Sequence, residues 1–195
     1  MHSTTTLPEG YREIAHINLQ KDKKTALKIN IAGAVIMIAL FVLAHFALVP
    51  ITTIFNFDTS FASDIPRFAA LILGYIAYII LHELTHAAVM KLMGGTKFGF
   101  GFTGIYAYAG SDKDYFSRAA YIAVALAPLI VWGIIFTVLL IVFPRDWFWV
   151  AWFWQVGNIS GAAGDVYVTA KILKMPPDVL VMDTGVDMTF YSKER

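Results

Sequence analysis

Four apolar stretches dominate the chain, at about 27–49, 67–92, 118–143 and 147–173, with shorter polar segments between them. A helix needs about 20 residues to cross the hydrocarbon core of a bilayer. The pattern therefore predicts an all-α integral membrane protein with four transmembrane helices. On this reading residues 1–26 form an N-terminal segment, 27–173 a single membrane domain with its core at 67–173, and 174–195 a C-terminal tail. The first apolar stretch is too long and begins too late for a cleaved signal peptide, so the N-terminus is expected to be retained. One segment departs from the helical pattern. In "KFGFGFTGIYAYAG" the aromatics Phe98, Phe100, Phe102, Tyr106 and Tyr108 all fall on even positions. That period of two predicts a short β-hairpin-like loop near 97–109, with a turn at Thr103-Gly104.

Charge then orients the spans. The segment Pro50 to Pro66 carries Asp58 and Asp64 and no Lys or Arg, whereas Lys91, Lys97, Lys113 and Arg118 surround the next connection and Lys171 and Lys174 open the tail. Basic residues collect on the cytoplasmic side, which predicts that both termini and the 93–117 loop are cytoplasmic. Trp147, Trp149, Trp152 and Trp154 cluster at the other end of the fourth stretch, as an interfacial anchor would. The apolar fraction is 58% and the charged fraction 15%, against about half and a quarter in soluble domains, so the lipid bilayer is the expected surrounding. A net charge of +1 gives no case for nucleic acid as a partner. With no cysteine, disulfides, thiolate ligands and a cysteine nucleophile are all excluded.

Candidate chemistry sits inside the second stretch, in "IILHELTHAA". His82 and His86 are four residues apart and so stack on one helix face, within reach of one ion. Glu83 stands beside the first histidine, where it can take a proton from water. This is the H-E-x-x-H pattern of zinc hydrolases, two ligands and a general base. With five His and four Glu in the chain, chance produces roughly 0.003 such matches. Ionisable groups are also costly near a bilayer centre, about 3 kcal/mol each on insertion scales, so they imply a compensating role.

Zinc requires a third protein ligand and, for catalysis, an open fourth position. Asp165 is the acidic residue well inside the later spans. Counting from Arg67 and Trp147, His82, His86 and Asp165 lie about 22–28 Å into their spans at 1.5 Å per residue, a matching level. His45 lies near the opposite end of the first span and reads as a packed or interfacial histidine. Asn158, seven residues before Asp165, is positioned either to bind a substrate carbonyl or oxyanion or to make an interhelical hydrogen bond. The small residues of "GNISGAAG" suggest close packing on the histidine-bearing helix. The hairpin likewise has two readings: aromatics resting in the headgroup layer, or a free sheet edge presenting Phe100 and Phe102 to an extended substrate chain.

Other chemistries fail on counts. A di-iron site needs further glutamates on the helices, and Glu9, Glu13 and Glu194 lie outside the spans. A bis-histidine haem finds His45 at the wrong level. An aspartic protease needs two carboxylates sharing a proton in a folded β domain, which the tail holding Asp183-Thr184-Gly185 cannot supply alone, so this stretch reads as a turn. Asp112 and Asp114 read as solvated charges, and Pro128 as a helix kink.

With "HELTH" in one span and Asn158 and Asp165 at matching depth two spans later, residues 67–173 resemble the site-2 protease class of intramembrane zinc metalloproteases. The resemblance implies His82, His86 and Asp165 as ligands of one zinc ion, Glu83 as base and Asn158 as a substrate contact. The chain departs from that class in "NISGAAGDV", which lacks the usual Pro, Leu and the Gly after Asp. In length and pattern it looks closer to a family of small bacterial membrane proteins known as putative zincin peptidases, which implies a bacterial cytoplasmic membrane. The expected function is hydrolysis of a peptide bond in a membrane-embedded protein or peptide near the cytoplasmic leaflet. The rival is a metal-binding sensor, adaptor or transporter component without proteolysis. The sequence is silent on oligomeric state.

Overall fold

The computed structural model describes residues 2–54, 61–102, 107–185 and 187–193. Among the described residues three helices are long and apolar enough to cross a bilayer. α1 spans Lys23–Leu43 and continues through a π-helical turn, Ala44–Leu48; α2 spans Phe61–Leu92 and α3 Arg118–Val142. Asp22 starts α1 by accepting the Thr25 amide at 3.0 Å, satisfying one of the donors that a helix N-terminus leaves open. Large apolar side chains point outward along all three, among them Val35, Ile72 and Ile141 at 60%, 57% and 78% exposure. An outer face this apolar suits a lipid surrounding.

The fourth apolar stretch is not one helix. It forms α4 (Phe148–Gly161) and α5 (Ala163–Leu173), which meet at Ala162. Neither piece alone has the length of a span. The join lies between Gly161 and Gly164, where helix propensity is weakest. Two tryptophans of α4 make contacts across to other elements. Trp149 is buried and donates to the Pro50 carbonyl at 3.2 Å, and Trp154 donates to the Leu71 carbonyl at 3.1 Å.

The all-α expectation is corrected by six antiparallel strands among the described residues. They are β1 (Ser3–Thr4), β2 (Tyr11–Asn18), β3 (Gly99–Phe102), β4 (Ala107–Ser117), β5 (Leu180–Asp183) and β6 (Asp187–Lys193), in the order β1-β4-β5-β6-β2 with β3 also on β4. The terminal segments, read as polar extensions, pair with one another: His16 faces Thr189 and Ile17 faces Met188. The hairpin lies where the period-two pattern puts it, with Phe100 opposite Ala109 and Gly101 opposite Tyr108. The Tyr108 ring lies over Gly101, where a Cβ would come within 2.3 Å of it. The expected turn at Thr103-Gly104 lies outside the described residues. β4 continues well beyond the hairpin to reach β5 and β1.

The reason the strands escaped a membrane reading lies in what they bury. Phe116, Val181 and Phe190, from three strands, are fully buried against Met90 of α2, Val124 of α3 and Ile172 of α5. The sheet thus closes one end of the helical layer and shares a core with it. Arg118 ties the same end by donating to the Leu173 carbonyl at 2.7 Å, one of the acceptors left open at a helix C-terminus. Asp114 is not the solvated charge expected. It is fully buried and accepts from the Thr96 amide and hydroxyl and the Ser111 hydroxyl at 2.8, 2.9 and 2.6 Å. Burial raises its pKa, but these hydrogen bonds together outweigh that and hold the carboxyl below its ordinary value.

Candidate metal centre

Each donor rides on a helix face whose next turn anchors in the shared core. His86 precedes Met90 by four residues on α2, and Asp165 precedes Val168 and Ile172 by three and seven on α5. These spacings keep donor and anchor on one face. Asp165 also lies in the first turn of α5, where the positive end of the helix dipole favours a carboxylate.

The three side chains converge. His82 Nε2 lies 3.5 Å from Asp165 Oδ2, and His86 Nε2 lies 3.6 Å from Asp165 Oδ1. Among the described residues they are the one group of His, Cys, Asp or Glu able to share an ion, one ligand atom from each within 4.8 Å of the others. Ligands bound to zinc at 2.0–2.1 Å in a tetrahedron stand about 3.3 Å apart, so these separations fit zinc with small adjustments. A cavity of about 310 Å³ opens beside them, lined by Glu83, by Asn30 of α1, and by Tyr121 and Asp183 toward the sheet.

The far side of each imidazole is held by hydrogen bonds that end on α3. Asn158 is completely buried, and its Nδ2 donates to the Leu129 carbonyl at 3.1 Å. Its Oδ1 therefore faces the Tyr78 hydroxyl, which donates to it at 3.1 Å. Having given its proton there, the hydroxyl accepts from His82 Nδ1, also at 3.1 Å. His86 Nδ1 donates to the Val124 carbonyl at 3.0 Å. Both rings thus carry hydrogen on Nδ1 and turn the Nε2 lone pair toward Asp165, the tautomer that metal binding requires.

Residues 75–180 match the family described as "Putative zincin peptidase". The chain belongs to that family. Zinc-dependent peptidase chemistry is what the family's description carries, and the His82, His86 and Asp165 set supplies a donor group of the right kind for it. The chain is also 30% identical over 129 residues to an uncharacterized 24.7 kDa protein of Pyrococcus woesei. That alignment covers 60% of this chain and 53% of the other, so it spans about half the relative's length. No solved structure matches the chain.

The structure brings four of the sequence candidates to one cavity: His82, Glu83, His86 and Asp165. It places Asn158 behind the histidines, in the interhelical hydrogen bonds that formed one of its two readings. Phe100 stands on β3 at 57% exposure, and the Phe102 side chain lies outside the described ones. His45 is engaged elsewhere, accepting the Ile51 amide at 2.9 Å. The sequence reading passed over Tyr78 and the Val124 carbonyl. Tyr78 had a visible signal, since it lies four residues before His82 on the same face. Asp183 does close a turn, accepting the Gly185 amide at 2.7 Å where Gly185 adopts φ 84°, but it is also buried, hydrogen-bonded to Tyr121 and part of the cavity wall.

Proposed function

We propose that this zincin-family protein is an intramembrane zinc metalloprotease, resembling the site-2 class, that hydrolyses a peptide bond of a membrane-embedded substrate near the cytoplasmic leaflet. The observation that carries the reading is the meeting of Asp165 with both histidines while Glu83 lines the same cavity. His82, His86 and Asp165 would hold the zinc ion, which when bound would supply Lewis acidity to a carbonyl and to water. Glu83 accepts a proton from the attacking water as its oxygen bonds to the carbonyl carbon, then delivers that proton to the nitrogen as the C–N bond breaks. Tyr78 and Asn158 act through His82, holding its ring.

The substrate enters as an unwound segment, because a helix keeps its carbonyls in internal hydrogen bonds. The β3 edge with Phe100 offers such a segment a strand to pair with, and the basic flanks support a cytoplasmic position for this end of the molecule. The test measures zinc content and cleavage of a helical model substrate for the wild type and Glu83→Gln. Zinc retained in both, with cleavage lost in Glu83→Gln, supports the protease. Zinc in both with cleavage in neither, across several transmembrane substrates, favours a metal-binding sensor, adaptor or transporter component. Full cleavage by Glu83→Gln refutes the mechanism.

A further inference from the structure

His86 leans on an unusual acceptor. In a regular helix the Val124 carbonyl would take the amide hydrogen of the residue four positions on. That residue is Pro128, which has no amide hydrogen and whose ring pushes against the carbonyl four residues earlier. α3 nevertheless runs unbroken from Arg118 to Val142, with Val124 and Pro128 both buried. A buried carbonyl left without a donor is costly. His86 Nδ1, at 3.0 Å, is the donor it meets.

We propose that Pro128 is a positioning residue for His86: lacking an amide hydrogen, it leaves the Val124 carbonyl open to the imidazole and so selects the tautomer whose Nε2 faces Asp165. The inference rests on the reading of His86 as a metal ligand. Each partner meets the other's need. The carbonyl gains a donor, and the ring is barred from the tautomer that would put hydrogen on Nε2 and block the metal. The kink read from the sequence is thereby secondary to the missing hydrogen. A carbonyl has two lone pairs, so restoring an amide hydrogen weakens the imidazole bond rather than abolishing it. The expected loss is near the lower end of the 10–100-fold range for a partner behind a ligand.

The experiment compares two changes at position 128. Pro128→Ala restores the amide hydrogen and removes the ring. An α-hydroxy acid incorporated at the same position removes the ring but supplies an ester oxygen in place of the amide. The readouts are the His86 tautomer in the zinc-free protein, by ¹⁵N NMR of labelled histidines, and zinc affinity by chelator competition. Pro128→Ala is expected to give mixed tautomers at His86 and about ten-fold weaker zinc binding, with the α-hydroxy variant like the wild type in both. Unchanged tautomers in Pro128→Ala overturn the proposal. So does an α-hydroxy variant that behaves like Pro128→Ala, since the ring would then be responsible. Should the wild type bind no zinc, the peptidase reading falls, while the tautomer comparison still decides the role of Pro128.

Discussion

Tyr78→Phe removes one oxygen from the path between His82 and Asn158 and little else. The ring stays packed, 5.3 Å from Phe136 and 6.0 Å from Trp132 between centroids. Two separate losses follow. His82 Nδ1 loses its acceptor, and with it the preference for the tautomer that frees Nε2. Removing such a partner weakens metal affinity by about 10–100-fold, which is about 1.4–2.7 kcal/mol. Asn158 Oδ1, in a fully buried side chain, loses its donor, and a buried acceptor left unsatisfied costs about 1–3 kcal/mol of stability. The two are separable by measurement. Zinc affinity by chelator competition in detergent reports the first, and denaturation of the zinc-free protein reports the second. Adding Asn158→Leu to Tyr78→Phe replaces both partners with apolar groups, so it should recover part of the stability but none of the zinc affinity. Zinc binding unchanged in Tyr78→Phe, with stability lowered, would refute the claim that this path orients His82 and leave it as packing alone.

Further outcomes follow from the same geometry. Asp165→Ala leaves two ligands of three, and zinc content should fall below stoichiometric in metal analysis of the purified protein. Gly74→Ala brings a Cβ to 2.2 Å from the Trp154 ring, and the forced shift of α2 from α4 should cost about 1–3 kcal/mol in a denaturation assay. Asp114→Ala strands the Thr96 amide and the Ser111 hydroxyl, lowering stability by about 2–4 kcal/mol. Asp183 has its pKa raised by burial to about 6, against the lowering effect of its bonds from Tyr121 and Gly185. The folded state therefore holds a proton that the unfolded state releases, so this contribution to stability is present below pH ~4 and lost as pH rises through ~6. Asp183→Asn should flatten that part of the stability profile, worth at most about 3 kcal/mol.

The donors were legible because lipid makes polar residues informative. His82, Glu83 and His86 stand out in an apolar run, and a level count along helices of constant rise pointed from them to Asp165. Helices were legible for the same reason, though their continuity was not. Gly161 and Gly164 flank the break at Ala162, yet a run of apolar residues conceals a change of axis. The sheet was hidden by its partners. β5 and β6 are short, and their buried residues Val181 and Phe190 find their core on helix ends, contacts that no local period encodes. Asp114 was misread because its donors come from Thr96 and Ser111, one of them 18 residues away. The anchors behind the histidines were hidden for a third reason: the Val124 carbonyl that takes His86 and the Leu129 carbonyl that takes Asn158 are main-chain groups, which have no letter in the sequence.

Those two carbonyls explain why one helix without any ligand matters to the metal centre. Val124 and Leu129 stand on either side of Pro128 in α3, and each ends one chain of hydrogen bonds from a histidine of α2. His86 meets α3 directly at Val124, whereas His82 reaches it through the Tyr78 hydroxyl and Asn158 at Leu129. The path from His86 adds no polar side chain to a layer where each is costly. The third donor, Asp165 on α5, is held by the core beneath the sheet. Donor geometry therefore depends on α3 holding its register, and a change that shifts α3 along its axis should disturb both histidines together.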